Sequence, residues 1–383
     1  MPPSSSEQTP PQPTHDALTE TITAALPPLL HAMEGLGFIA RHLHPPRLAE
    51  VIAHVGALDK GVADGLGAVH ELAWPEDLHP FRDRIVDAAT SVLRAYEELR
   101  SSLEDPNGAM MTYRALRHYA RAQEALFPLA RLLPPLSRFF LDEGARDDAA
   151  LLAQLKEAGP RPGVTGLMHF GNEKQERGGF SLYVPETYDP ARRYPLVFAL
   201  HGGSGHGRDF MWSWLRTARA MDFILVSPTS VGSTWSLMEP DEDAPNLARM
   251  LDHIQAHWSV DPDKVLLTGM SDGGTYTYVN GITGASAFTH LAPVSSGFHP
   301  LLLEFAEAER LQGLPLYLVH GAQDWMFPVD MARTAARALS GRGVELVYRE
   351  IKDLSHTYPR EENSQIARWF LTGERPDGPD RVA

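Results

Sequence analysis

From "PLVFALHGG" onward the chain alternates continuous apolar runs with amphipathic stretches, and nothing else in it constrains the fold as much. "FILVSP" is followed by "APNLARMLDHIQAHW" and "KVLLTG" by "SDGGTYTYVNGI"; "HLAPVSS", "PLYLVHG" and "VELVYREI" continue the series, with "DMARTAARAL" between the last two. A strand with one wet face alternates apolar and polar residues. A strand apolar throughout is covered on both faces, and helices between successive strands provide the cover. The C-terminal half therefore reads as a doubly wound α/β domain with a mostly parallel sheet. Its reactive groups belong in loops just past the carboxyl ends of the strands.

"GPRPG", Gly159–Gly163, marks the border with a different grammar upstream. "LTETITAALPPLLHAMEGLGFIARHL" spaces Leu18, Ile22, Leu26, Leu29 and Met33 by three and four residues, with Pro27-Pro28 expected to kink or split the helix. Gly35 and Gly37 read as a helix break. "LAEVIAHVGALDKGVADGLGAVHELA", "FRDRIVDAATSVLRAYEELRSSL", "MMTYRALRHYARAQEALF" and "PLARLLPPLSRFFLDE" continue the pattern, broken at Asp105-Pro106-Asn107-Gly108. Short breaks between amphipathic helices imply antiparallel neighbours, so residues 17–158 are expected to form an all-α helical bundle domain. The α/β domain is expected over 164–375, with tails at 1–16 and 376–383.

Composition narrows the partners. A net charge of −15 would repel nucleic acid and anionic membrane surfaces, so neither is expected as a partner. No uninterrupted apolar run approaches the eighteen or so residues of a membrane span. "MPPSSSEQTPPQPTHD" has neither the basic nor the apolar region of a secretory signal and reads as a disordered tail, which makes cytoplasmic residence the default. The absence of cysteine removes disulfides, thiolate metal sites and a cysteine nucleophile together.

Gly269-Met270-Ser271-Asp272-Gly273 matches G-x-S-x-G and sits between an expected strand and an expected helix. In such a turn a serine is held in a strained conformation, and side chains two residues to either side would collide with the neighbouring strand or helix. The competing interpretation is a serine that merely caps the helix. A serine nucleophile needs a base, itself oriented by an acid. "YLVHGAQDWMFP" puts Asp324 in the loop after one strand, and "IKDLSHTYP" puts His356 in the loop after the last. Asp330 and Asp353 are alternates for the acid, although Asp353 is close to His356 along the chain.

The order Ser, Asp, His, with "HGGSG", "GMSDGG", "HGAQDWMFP" and "SHTYP" each behind its own strand, resembles the α/β-hydrolase family over residues from about 180 to 372. Within that family the chain is most similar to bacterial polyhydroxybutyrate-depolymerase-like and phospholipase/carboxylesterase-like esterases. The resemblance implies a serine esterase with Ser271, Asp324 and His356 as the triad and no metal or organic cofactor. It also implies an oxyanion hole made of the N–H groups of Gly203, Ser204 and Asp272. Asp272 departs from the family, where apolar or amide residues are usual; its carboxylate is expected to point away from the hole and pair elsewhere. A small-molecule ester is the expected partner. A peptidase, an acyltransferase and a binding protein with a relic hydrolase half are the other readings. The helical half is expected to act as a lid, a docking face or a homodimer interface.

Several residues carry a second interpretation. His201 opens the glycine loop and is expected to support it. His253 and His257 have metal-ligand spacing, but no third ligand or zincin glutamate accompanies them, so a partly packed helix face is expected. Trp212, Trp235, Trp325 and Phe327 flank the expected loops and are candidates either for the core or for lining an acyl or alcohol pocket.

Overall fold

The computed structural model describes residues 14–376, so residues 1–13 and 377–383 of the tails expected at 1–16 and 376–383 lie outside the described residues. Two compact units make up this span: a helical unit of residues 14–39 and 47–129, and a sheet unit of residues 40–46 and 130–376.

In the helical unit, α1 (His15–His42, its last residues already in the sheet unit) is followed by α2 (Leu48–Val55), α3 (Asp59–Glu71), α4 (His79–Ser102), α5 (Gly108–Ala115) and α6 (Arg117–Leu126). The apolar stripe of α1 is buried at Leu26, Leu29, Met33, Leu36 and Ile39. Two local expectations are corrected. Pro27 and Pro28 lie inside α1 without splitting it, and Gly35 marks no break. At Gly35 an added Cβ would lie 2.5 Å from Tyr96 Oη and 2.9 Å from Leu58 Cδ1, so the glycine permits close helix packing. Tyr96 Oη donates to Ala32 O at 2.9 Å in the same contact. By length and mean hydropathy over 18 residues, part of α1 is also apolar enough to cross a membrane, although charged and polar residues interrupt its apolar runs.

The sheet unit begins earlier than the boundary expected at residue 158. Residues 40–46, α7 (Pro134–Phe139) and α8 (Ala149–Glu157) belong to it. Buried Arg219 explains the attachment of α7: its Nη1 donates to Ser137 O at 2.8 Å, while its Nε pairs with Glu186 at 2.8 Å. Thr217 Oγ1 donates to Asp142 Oδ1 at 3.1 Å.

Eight strands form one sheet: β1 (Gly166–Phe170), β2 (Phe180–Val184), β3 (Tyr194–Leu200), β4 (Ile224–Pro228), β5 (Val260–Met270), β6 (His290–Val294), β7 (Pro315–Gly321) and β8 (Glu345–Ile351). Their order is β1-β2-β4-β3-β5-β6-β7-β8. β2 runs antiparallel to β1 and to β4, and the remaining pairs are parallel. The apolar runs are buried on both faces: on β3, Leu196, Phe198 and Leu200 face one way, and Val197 and Ala199, equally buried, the other. The chain leaves β3 for β4 on one side and then returns to β5 on the other. The crevice above β3 and β5 is therefore the topological switch point, where open α/β sheets bind their ligands.

Candidate active site

Ser271 follows β5 directly and precedes the helix Asp272–Gly281. Its backbone sits at φ 56° and ψ −121°, strained for a residue with a Cβ. The flanking glycines are sterically required. A Cβ at Gly269 would lie 2.5 Å from the Gly273 carbonyl carbon, and one at Gly273 would lie 2.5 Å from His201 O. The Ser271 side chain makes no capping hydrogen bond to its helix, which removes the cap interpretation. Its Oγ lies 3.0 Å from His356 Nε2 instead.

His356 lies in the loop after β8 and is buried. Its Nδ1 is 2.9 and 3.1 Å from the two oxygens of Asp324, which, being acceptors, require the proton on Nδ1. Nε2 is then the lone-pair nitrogen and accepts from the Ser271 hydroxyl. Asp324 follows β7, with its side chain fully buried. Its Oδ1 also accepts from the N–H groups of Met326 at 2.9 Å and Phe327 at 2.8 Å, which fixes the carboxylate plane. The alternates are engaged elsewhere: Asp330 pairs with Arg333, and Asp353 with Arg41.

No role is assigned from the sequence to His320, which lies beside this acid. Burial lowers its pKa, so the ring is neutral, and Nε2–H donates to Phe327 O at 2.8 Å. Its Nδ1 is buried with no hydrogen-bond partner among the described residues, and the ring lies 3.6 Å from Asp324 Oδ2. Its place at the end of β7, four residues before Asp324, is the one signal it leaves in the sequence.

Across the crevice, the loop after β3 is held by His201, as expected. Its Nδ1–H donates to Gly202 O at 2.7 Å, and its Nε2 accepts from Ser230 N at 3.1 Å. Ser204 must be removed from the oxyanion set, because its N–H already donates to Ser233 O at 3.1 Å. No such bond occupies the N–H of Gly203 or Asp272 among the described residues. The Asp272 side chain does pair elsewhere, accepting from Thr234 Oγ1, but it does not leave Gly203: a Cβ there would lie 2.7 Å from its Oδ2. Thr234 reaches it from the loop after β4, which Asp243 ties down through the N–H groups of Val231 and Ser236, each at 2.8 Å.

The aromatic candidates divide. Trp212 and Trp235 are core residues, 2% exposed; Trp235 donates to His201 O at 2.7 Å and stacks on Tyr276. Trp325 is 40% exposed and Phe327 is half-buried, and their rings meet the His356 ring edge-on at 6.5 and 5.4 Å. His253 packs among Phe170, Phe180 and Trp258, and burial lowers its pKa. A cavity of about 310 Å³ beside Tyr183, Glu186, Arg219 and Asp222 lies at the amino edge of the parallel strands, the edge opposite Ser271.

No protein-family model matches the chain. It is 25% identical over 187 residues to a probable feruloyl esterase C of Aspergillus terreus, a match covering 47% of this chain and 65% of that protein. It is 29% identical over 146 residues to poly(3-hydroxyalkanoate) depolymerase C of Paucimonas lemoignei, covering 35% of this chain and 34% of the depolymerase. The matched span thus falls short of two thirds of these relatives' own length. Among solved structures, a thermophilic esterase of the planctomycete Thermogutta terrifontis covers 55% of this chain and 95% of its own, at 15% identity and a TM-score of 0.44. The sheet unit has the strand order of the α/β-hydrolase fold and is similar over part of its length to these esterases.

Proposed function

We propose that the protein hydrolyses carboxylic esters through an acyl-enzyme intermediate. Ser271 Oγ attacks the ester carbonyl carbon while His356 Nε2 takes its proton. The N–H groups of Gly203 and Asp272 donate to the oxyanion that develops, and the proton then passes from His356 to the departing alkoxide as the ester C–O bond breaks. Water repeats the sequence on the acyl-enzyme and frees the acid. Asp324 keeps the proton of His356 on Nδ1 and stabilises the imidazolium. The observation that carries this proposal is the uncapped, strained Ser271 with its hydroxyl 3.0 Å from an imidazole bonded to a buried carboxylate. The esterase names among the sequence relatives support it and suggest the first substrates to try: feruloyl esters, short-chain acyl esters and 3-hydroxyalkanoate oligomers.

A fluorophosphonate probe tests the proposal. Wild type should label covalently and turn over p-nitrophenyl esters, and Ser271→Ala should do neither, with turnover falling by at least about 1,000-fold. Equal labelling of the two proteins overturns the assignment. Faster cleavage of aminoacyl-anilides than of esters would replace esterase by peptidase.

A further inference from the structure

Residues Ala40–Pro46 lie far upstream of the sheet, yet they belong to the sheet unit and bond to the loop that carries His356. Arg41 forks across that loop: its Nη2 is 3.2 Å from each oxygen of Asp353, and its Nε donates to Glu361 Oε1. The Arg41 carbonyl accepts from Thr357 Oγ1 at 2.9 Å, and His44 Nδ1 lies 3.0 Å from Ser355 Oγ. The residues immediately before and after His356 are thus each bonded to this one segment. Both Ser355 and Thr357 are buried, so protein groups rather than bulk water satisfy their hydroxyls.

The strength of these contacts lies in direction more than in stability. Asp353 and Glu361 are 64% and 53% exposed, and pairs of that kind add little to global stability. A guanidinium that is itself largely covered and planar nevertheless fixes the angle between the carboxylates it bridges. Burial pushes the Asp353 carboxyl up, but Arg41 outweighs it and holds the group below its ordinary value, so the fork stays charged at neutral pH.

We propose that Ala40–Pro46 is a positioning strap for the general base, in which Arg41 and His44 hold the Ser355–Thr357 turn so that His356 Nε2 stays within reach of Ser271. This rests on the hydrolase proposal above. Arg41 and His44 act through His356, so they are positioning residues. A base displaced by about 1 Å costs on the order of 100-fold in rate, so loosening the turn should lower kcat far more than it raises KM.

The test takes the full-length chain as wild type, Arg41→Ala, Arg41→Lys, His44→Ala and, as a control that removes the surface pair of Arg94 with Glu98 on α4, Arg94→Ala. Hydrogen exchange and ester kinetics are read on each. Arg41→Ala should raise exchange in peptides spanning 352–362 and lower kcat about 10- to 100-fold at nearly constant KM. His44→Ala should do the same more weakly, and Arg41→Lys should recover part of the loss. Arg94→Ala should match wild type. Unchanged exchange at 352–362 in Arg41→Ala overturns the strap, and so does a loosened loop with unchanged kcat. A wild type that neither labels nor turns over esters refutes the hydrolase proposal instead, and the exchange measurement still decides whether the segment holds the loop.

Discussion

In the proposed mechanism two N–H groups receive a developing negative charge, a carboxylate beside them works against that, and Asp272 carries one. It lies at the amino end of its helix, where a negative side chain is favourable, and Thr234 bonds one of its oxygens, but that oxygen also lies against Gly203. Unit charges a few ångström apart at an effective dielectric near 20 interact by a few kcal/mol, so a second negative charge on the acyl group should be strongly disfavoured. Asp272→Asn should therefore raise kcat/KM for p-nitrophenyl hemisuccinate, relative to p-nitrophenyl butyrate, on the order of 10-fold. Comparing the two esters on both proteins measures this, and an unchanged ratio would place the carboxylate outside the substrate's electrostatic reach. The departure at position 272 was visible in the sequence as an unusual letter. Its partner was not, because Thr234 arrives from a different loop. The same limit explains Ser204: which backbone N–H is free depends on a carbonyl, Ser233 O, to which no local pattern points.

Within single elements the apolar runs were a dependable guide, since a strand buried on both faces leaves nearly the same signature wherever it lies in the sheet. The helical half was less so. Proline inside α1 and glycine at its packing face read as breaks because propensity is local, whereas the contacts that accommodate them are tertiary. β6 offers a measurable case of an element tuned by its neighbour. His290 opens it, and its ring meets Trp369 and Phe370 of the helix Asn363–Thr372 edge-on at 5.4 and 5.0 Å. Burial, assisted by the charge of Lys264, pushes its pKa down to about 4. An unfolded histidine titrates near 6.5, so between that value and about 4 the unfolded chain binds more protons than the folded one. Stability must therefore rise with pH across this window: the contribution of neutral His290 is complete above it and lost as pH falls toward 4. Urea midpoints measured at pH 7 and pH 4.5 should fall more steeply in wild type than in His290→Gln. Equal slopes would mean that the ring is solvated in the fold.

At the scale of the molecule, the change of grammar at "GPRPG" located the start of the sheet but not the start of its unit. Long-range pairings set that boundary: Ser137 with Arg219, Asp142 with Thr217, and Phe140 with Trp212, whose ring centroids are 6.0 Å apart. None of these leaves a period in the sequence. Removing residues 1–158 would therefore do more than remove a helical domain. Buried Arg219 would lose the Ser137 carbonyl, and Trp212 would lose an aromatic neighbour, leaving polar and apolar surface uncovered together. Removing residues 1–129 would leave those contacts in place while still deleting Arg41 and His44. The two truncations should accordingly differ. The chain beginning at residue 159 should aggregate in light scattering, whereas the chain beginning at residue 130 should stay largely soluble and turn esters over slowly. If both chains are equally soluble, residues 130–158 are dispensable cover. If the longer chain retains full turnover, the segment around Arg41 does not hold His356, because that chain lacks it altogether.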